Sequence, residues 1–293
     1  MKSWGGVALA CLLAWGGARA NDEFPPLPAA VTGGYETILK AEPGNISVFD
    51  YEGRQTILII DFPSLVDQGR MFNRVVALVE RMGAPREHVL DNDALAVFIK
   101  SVGKTETTFA YGNDFMVAEL VVFFNLADVG NIQLTPQELA LRQFLLDRRL
   151  MIVRHGFFQA VSPRSVILSI PQISRGGPKS PPVNELARRT ILSHEISHGE
   201  YYTNASYRDY CRRFWRETMS EAQRTAFRKF LSNSSYNPEN EEMMINEGQA
   251  YLMYTPDPRA FSAKLVGLGD REIASLRKQF QAGFRSVAQV AVD

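Results

Sequence analysis

Ile191-Leu192-Ser193-His194-Glu195-Ile196-Ser197-His198-Gly199-Glu200 is the stretch around which this 293-residue chain is organised. It contains His-Glu-x-x-His. Residues four apart stand on one face of a helix, so His194 and His198 can direct both imidazoles at one point. Two neutral imidazole nitrogens at that spacing suit Zn²⁺, which takes His nitrogen at roughly 2.0–2.1 Å. Glu195, beside the first of them, can reach a water on the metal as a general base without binding the metal itself. The chain has only four His, and two of them fall in this pattern.

A catalytic zinc site needs a third protein ligand and an open position for water. Downstream, Glu239, Glu241, Glu242 and Glu247 are the candidates. The segment from Glu239 to Tyr254 reads as helical, and on it Glu247 shares a largely apolar face with Met244, Ala250, Tyr251 and Tyr254. A carboxylate buried there is costly without a partner, and a metal is a suitable one. Glu241 and Glu242 lie near a polar loop, 232–240, where water can solvate them. Glu247 is the expected third ligand.

His194-Glu195-x-x-His198 followed by Asn246-Glu247-Gly248-Gln249-Ala250 resembles the gluzincin clan of zinc metallopeptidases, in which a Glu on a second helix completes the ligand set. The Asn-Glu-Gly-x-Ala form is similar to the ligand segment of the aminopeptidase N-like members. The 48 residues between His198 and Glu247 are far more than those members use, and no Gly-x-Met-Glu-Asn segment is present. The resemblance is therefore to the clan and not to that family, and it covers roughly residues 165–254. It implies an α+β, zincin-like metallopeptidase with a mainly helical core and a small sheet; the first half of the chain, outside the resemblance, is expected to form an N-terminal α/β subdomain. It further implies one Zn²⁺ per chain on His194, His198 and Glu247, with Glu195 taking the proton of the zinc-bound water. The substrate would be a peptide or protein. Tyr251 and, on the same helix face, Tyr254 are the candidates for stabilising the oxyanion, with Tyr201, Tyr202 and His155 as others. An edge strand lies along the cleft in this clan, and Ser165–Ile170 is the candidate for it.

Residues 1–20 read as a cleaved signal peptide: Lys2, a short apolar run from Val7 to Trp15, then Ala18-Arg19-Ala20. The expected location is secreted or periplasmic. No later segment is long and apolar enough to span a membrane, since Glu119, Asn125 and Asp128 interrupt the most apolar one. Taking Lys2 and Arg19 from 32 basic residues leaves 30 against 32 acidic, a balance that gives no footprint for nucleic acid. Cys11 leaves with the signal, so Cys211 stands alone and the fold depends on its core.

In order, residues 21–34 read as a flexible leader and Thr56–Phe62 as a buried strand. Helices are expected over 64–81, 94–102, 115–124 and from Thr135 to about Leu150. Ser165–Pro171 reads as a strand cut short by proline, which suits a sheet edge. The motif helix should start within 181–185, with further helices over 205–218, from Ser220, over 239–254 and from Asp270. Arg208, Arg212 and Arg216 form a stripe expected to be a solvated basic face. The organisation anticipated is a signal (1–20), an N-terminal α/β subdomain (21–155) and a gluzincin-like zinc subdomain (156–293). Two other readings remain: a zinc amidohydrolase acting on cell-wall peptides or other amides, and a non-catalytic, zinc-containing binding protein. An intact Glu195 argues against the last, because a structural site has no use for a general base.

Overall fold

Ile57–Phe62 and Val166–Pro171 are β-branched, apolar runs buried at every position, the pattern of strands covered on both faces. The computed structural model describes residues 24–42 and 44–284; the signal expected at 1–20 lies outside them. Five strands form a mixed sheet: β1 (Val31–Gly33), β2 (Ser47–Tyr51), β3 (Ile57–Phe62), β4 (Asn113–Met116) and, after a separate hairpin of β5 (Met151–Arg154) and β6 (Phe157–Ala160), β7 (Val166–Pro171). The order across the sheet is β1-β2-β3-β7-β4, with β3 and β7 parallel and β4 antiparallel to β7. Strands from both sides of residue 155 thus share one sheet.

The two-residue period of β3 divides the core. Leu58, Ile60 and Phe62 join Met71, Phe72 and Val75 of the helix Leu65–Val79 on one face. Ile57 and Ile59, with Val166, Leu168 and Ile170, meet Leu192 and Ile196 of the motif helix on the other. Leu192 and Ile196 are fully buried, each contributing about 1.5–3 kcal/mol. A further, mainly helical cluster built on Trp215, Phe227 and Phe280 carries the helix Glu241–Tyr254. The fold is α+β, with a small mixed sheet and mainly helical surroundings.

Four expectations are corrected. Ser165–Ile170 is not an edge: β7 lies between β3 and β4, and β4 is the edge strand. Phe115–Phe124 is not all helix, because Phe115 pairs with Ile167 in β4 before the helix Val117–Val129 begins. The leader ends in order, with β1 pairing parallel to β2. The arginine stripe is not merely solvated: Arg212 grips Glu242 (2.7 Å) and Arg216 reaches Glu241 (3.0 Å), tying helix Ala205–Arg213 and the π turn after it to helix Glu241–Tyr254.

Candidate metal centre

The motif helix runs Glu185–Thr203, started by Asn184, whose side chain accepts the Ala187 N–H (2.9 Å). Its orientation is set by a buried ion pair. Arg188, fully buried, donates to both carboxylate oxygens of Asp61 at 2.9 Å and to the carbonyls of Leu39 and Pro171. A guanidinium so enclosed needs this many acceptors, and together they pin the first turn of the helix to β3 and the end of β7. One turn past His194, Gly199 lets the helix come down on β3: a Cβ there would sit 2.9 Å from the Ile57 side chain.

His194, His198 and Glu247 meet at the meeting line of this helix and the helix Glu241–Tyr254, and the three could hold a metal ion. Glu247 Oε2 stands 3.6 Å from His194 Nε2, and Oε1 stands 3.8 Å from His198 Nε2. Each ring is turned by a hydrogen bond at its other nitrogen. His198 Nδ1 lies 2.9 Å from Asn246 Oδ1, so it carries the proton and donates. His194 Nδ1 lies 2.8 Å from Thr255 Oγ1, whose own proton goes to the Ala250 carbonyl at 3.0 Å. Both Nε2 lone pairs therefore face Glu247, the tautomer a metal ligand requires.

Electrostatics favour a cation here. Burial pushes the His198 imidazole down to about 4, which keeps it neutral. Burial opposes the Glu247 charge, but at low pH, where His198 and His194 take up protons, those cations and Arg81 outweigh it and hold its carboxyl below the usual range. Glu195 is raised well above that range, first by burial and then by the negative charges of Glu247 and Glu80. Asp114, on β4, is raised by burial and by Glu195, Glu80 and Glu247. Glu195 Oε2 and Glu247 Oε2 are buried and have no hydrogen-bond partner among the described residues. Two orphaned carboxylate oxygens beside two aimed imidazoles fit a divalent cation, which would relieve both the desolvation and the mutual repulsion.

The site opens into a cavity of about 590 Å³. Tyr251 lines it, with its ring 4.7 Å from that of His194 at 71°. The other oxyanion candidates are elsewhere. Tyr201 is buried and donates to Glu242 at 2.7 Å, Tyr254 lies against Tyr207, and neither they nor Tyr202 line the cavity. His155 is exposed at the turn of the β5–β6 hairpin. Glu241 and Glu242 serve as partners for arginines, and Glu239 is exposed.

Several wall residues had no signal in the sequence. Asp114 reaches to 3.8 Å from His198 Nδ1 and forms with Glu195 and His198 a second group of potential ligands. Gly112, at the approach to β4, lies so close to the Glu195 carboxylate that any Cβ would overlap it. Arg81 is wedged between Phe109 and Tyr236 and donates to the Phe109 and Ser234 carbonyls. All come from segments about 80 to 117 residues before the motif histidines, where no local pattern marks them. Asn246, beside Glu247 in the same segment, orients the His198 ring.

No protein-family model matches the sequence, and neither a curated protein nor a solved structure is significantly similar to it.

Proposed function

We propose that this chain is a zinc-dependent hydrolase of gluzincin type, a metallopeptidase that cleaves peptide bonds. The observation that carries the reading is the pair of orphaned carboxylate oxygens, because the two have different surroundings. Glu247 faces both Nε2 atoms and belongs to the ligand group. Glu195 stays outside that group, in the cavity wall, buried, with its Oε2 lacking a hydrogen-bond partner among the described residues. A site with three protein ligands and a spare base suits catalysis; a purely structural zinc site is normally closed by four ligands.

The His/His/Glu donor set suits zinc. When bound, the metal supplies Lewis acidity toward a carbonyl oxygen and makes a water acidic near neutral pH. Glu195 takes the proton of the attacking water and passes it to the leaving amine, and its raised pKa favours holding that proton between the two steps. The Tyr251 hydroxyl, raised above its ordinary range by burial and so fully protonated, donates to the developing oxyanion. Asn246 and Thr255 keep the imidazoles oriented throughout. The export expected from residues 1–20 puts this activity outside the cytoplasm, on peptide or protein substrates.

The test begins with metal content by mass spectrometry on the purified chain, wild type beside Glu247→Ala. About one zinc per wild-type chain, lost in the variant, is expected. Wild type and Glu195→Gln are then compared on peptide and cell-wall libraries. Glu195→Gln should keep its zinc and lose cleavage by roughly 10²–10⁴-fold. A folded, zinc-supplemented wild type that binds no metal would sink the proposal. Cleavage confined to cell-wall amides would move the substrate class, and full biological effect in Glu195→Gln would favour a binding protein.

A further inference from the structure

The β5–β6 hairpin stands apart from the five-stranded sheet, and its chemistry differs from that of the rest of the surface. Its turn is Arg154-His155-Gly156-Phe157, with φ of 53° at His155 and 80° at Gly156, the left-handed pair of a two-residue type I′ turn. The inner side is firmly anchored. Met151 is buried, and Asn125 both donates to the Phe158 carbonyl and accepts its N–H, each at 2.9 Å. That pairing of a helix side chain with the strand backbone holds the hairpin rigidly against helix Val117–Val129.

The outer side is apolar and uncovered. Ile152 is 42% exposed, Phe157 56% and, just past the hairpin, Val161 51%; Val153, on the Met151 side, is 60% exposed beside the turn. A single exposed aliphatic residue needs no explanation, but three on one face of a short hairpin, with a fourth beside its turn, form a patch. The charge around it is one-sided. Residues 148–184 contain no acidic residue and six basic ones, in a chain where Lys plus Arg and Asp plus Glu are equal at 32. Arg149, Arg154 and Arg164 are exposed and make no ion pair among the described residues. Nearby acids are already engaged: Asp50 with Arg148, Asp128 with Arg142, and Asp147 with the Gln143 amide.

We propose that this hairpin docks the protein on an anionic lipid bilayer, with Val153, Phe157 and Ile152 entering the interface and the three arginines meeting the headgroups. Charge complementarity chooses an anionic surface, and shape chooses a fluid one. A two-residue turn between four-residue strands offers a rigid protein partner far less than the roughly 800 Å² per side of a stable interface. A bilayer closes around the tip, taking apolar side chains below the headgroups and cations among them. Among the described residues no helix is long and apolar enough to cross a membrane, so the contact is peripheral. This inference does not depend on the hydrolase reading.

The experiment is flotation of the purified full chain with vesicles of phosphatidylcholine plus phosphatidylglycerol, beside phosphatidylcholine alone. Two variants run in parallel: Val153→Ser with Phe157→Ser, and Arg149→Gln with Arg154→Gln and Arg164→Gln. All arms share the same N-terminal residues, so any contribution from the apolar run at 7–15 cancels. Wild type should float with the anionic vesicles only, and less as salt rises. The arginine variant should partition about a hundredfold more weakly, at about 1 kcal/mol per cation near the surface. The serine variant should also lose binding, although its charge is unchanged. The substituted side chains are exposed, and unchanged thermal melting of the arginine variant would separate lost binding from lost folding. Failure of the wild type to float, equal flotation on both vesicles, or undiminished flotation of either variant would overturn the proposal. So would a hairpin-dependent dimer in size-exclusion chromatography without vesicle binding.

Discussion

Replacing Thr255 by Val should weaken zinc binding without touching a ligand. Thr255 is 2% exposed, so water cannot take over its role. Its Oγ1 accepts the His194 Nδ1 proton at 2.8 Å and donates to the Ala250 carbonyl at 3.0 Å. Valine has nearly the same shape and keeps the packing, but removes that acceptor. With Nε2 committed to the metal, the imidazole cannot turn, and Nδ1–H is left buried and unpaired. An orphaned donor costs about 1–3 kcal/mol, which is roughly 5–150-fold in affinity. The Ala250 carbonyl loses its donor equally with and without metal, so that term cancels in the binding equilibrium. Competition of the metal-free protein against a chromophoric chelator measures the change directly. Thr255→Ser, which keeps the hydroxyl, should stay close to wild type. If Thr255→Val binds zinc as tightly as wild type, the tautomer assignment and the ligand role of His194 Nε2 are both wrong.

Asn246→Ala removes the corresponding acceptor at His198 and should cost about 10–100-fold in zinc affinity by the same competition. Gly112→Ala should displace the Glu195 carboxylate, leaving zinc content near wild type while hydrolysis falls by at least about tenfold; unchanged turnover would mean that Glu195 is not the base. Arg188→Met leaves Asp61 buried and unpaired, and should lower unfolding free energy in urea by about 3–5 kcal/mol. Glu119 supplies a pH dependence of stability. Burial pushes its carboxyl up to about 7, against the pull of the Met116 N–H it accepts. A raised carboxyl binds its proton more tightly in the folded state, so stability is greatest below about pH 4.5 and declines as pH rises to about 7. Because the side chain is only partly enclosed, its share of the decline is discounted to about 1–2 kcal/mol, and Glu119→Gln should make the decline shallower by that amount in urea melts across that range.

Legibility followed the range of the interaction. His194, His198 and Glu195 sit within one turn of one helix, so their convergence on one face is a property of the sequence. Glu247 was legible through cost, since a carboxylate on an apolar helix face calls for a compensating partner. Strand order was not legible. Pro171 was read as the mark of an edge, yet β7 is interior. The N–H groups of Val166 and Gln172 both point to β3. The two-residue period therefore turns Pro171 toward β4, which ends opposite Ser169 and asks for no donor there. The run at 115–124 misled for another reason: a four-residue strand passes into a helix with no polar break, so composition stays apolar while the period changes.

What the sequence determined by itself was the local chemistry: two imidazoles and a carboxylate at helical spacing, and a second helix with a costly carboxylate on its apolar face. Tertiary structure alone decided the surroundings. It brought Asp114 and Gly112 against Glu195, set Thr255 and Asn246 behind the imidazoles, chose Tyr251 over four other candidates to face the cavity, and locked the motif helix to the sheet through Arg188 and Asp61. Those relations join residues far apart in the chain. No local periodicity encodes them, and they exist only once the sheet has closed and the helices have packed on its face.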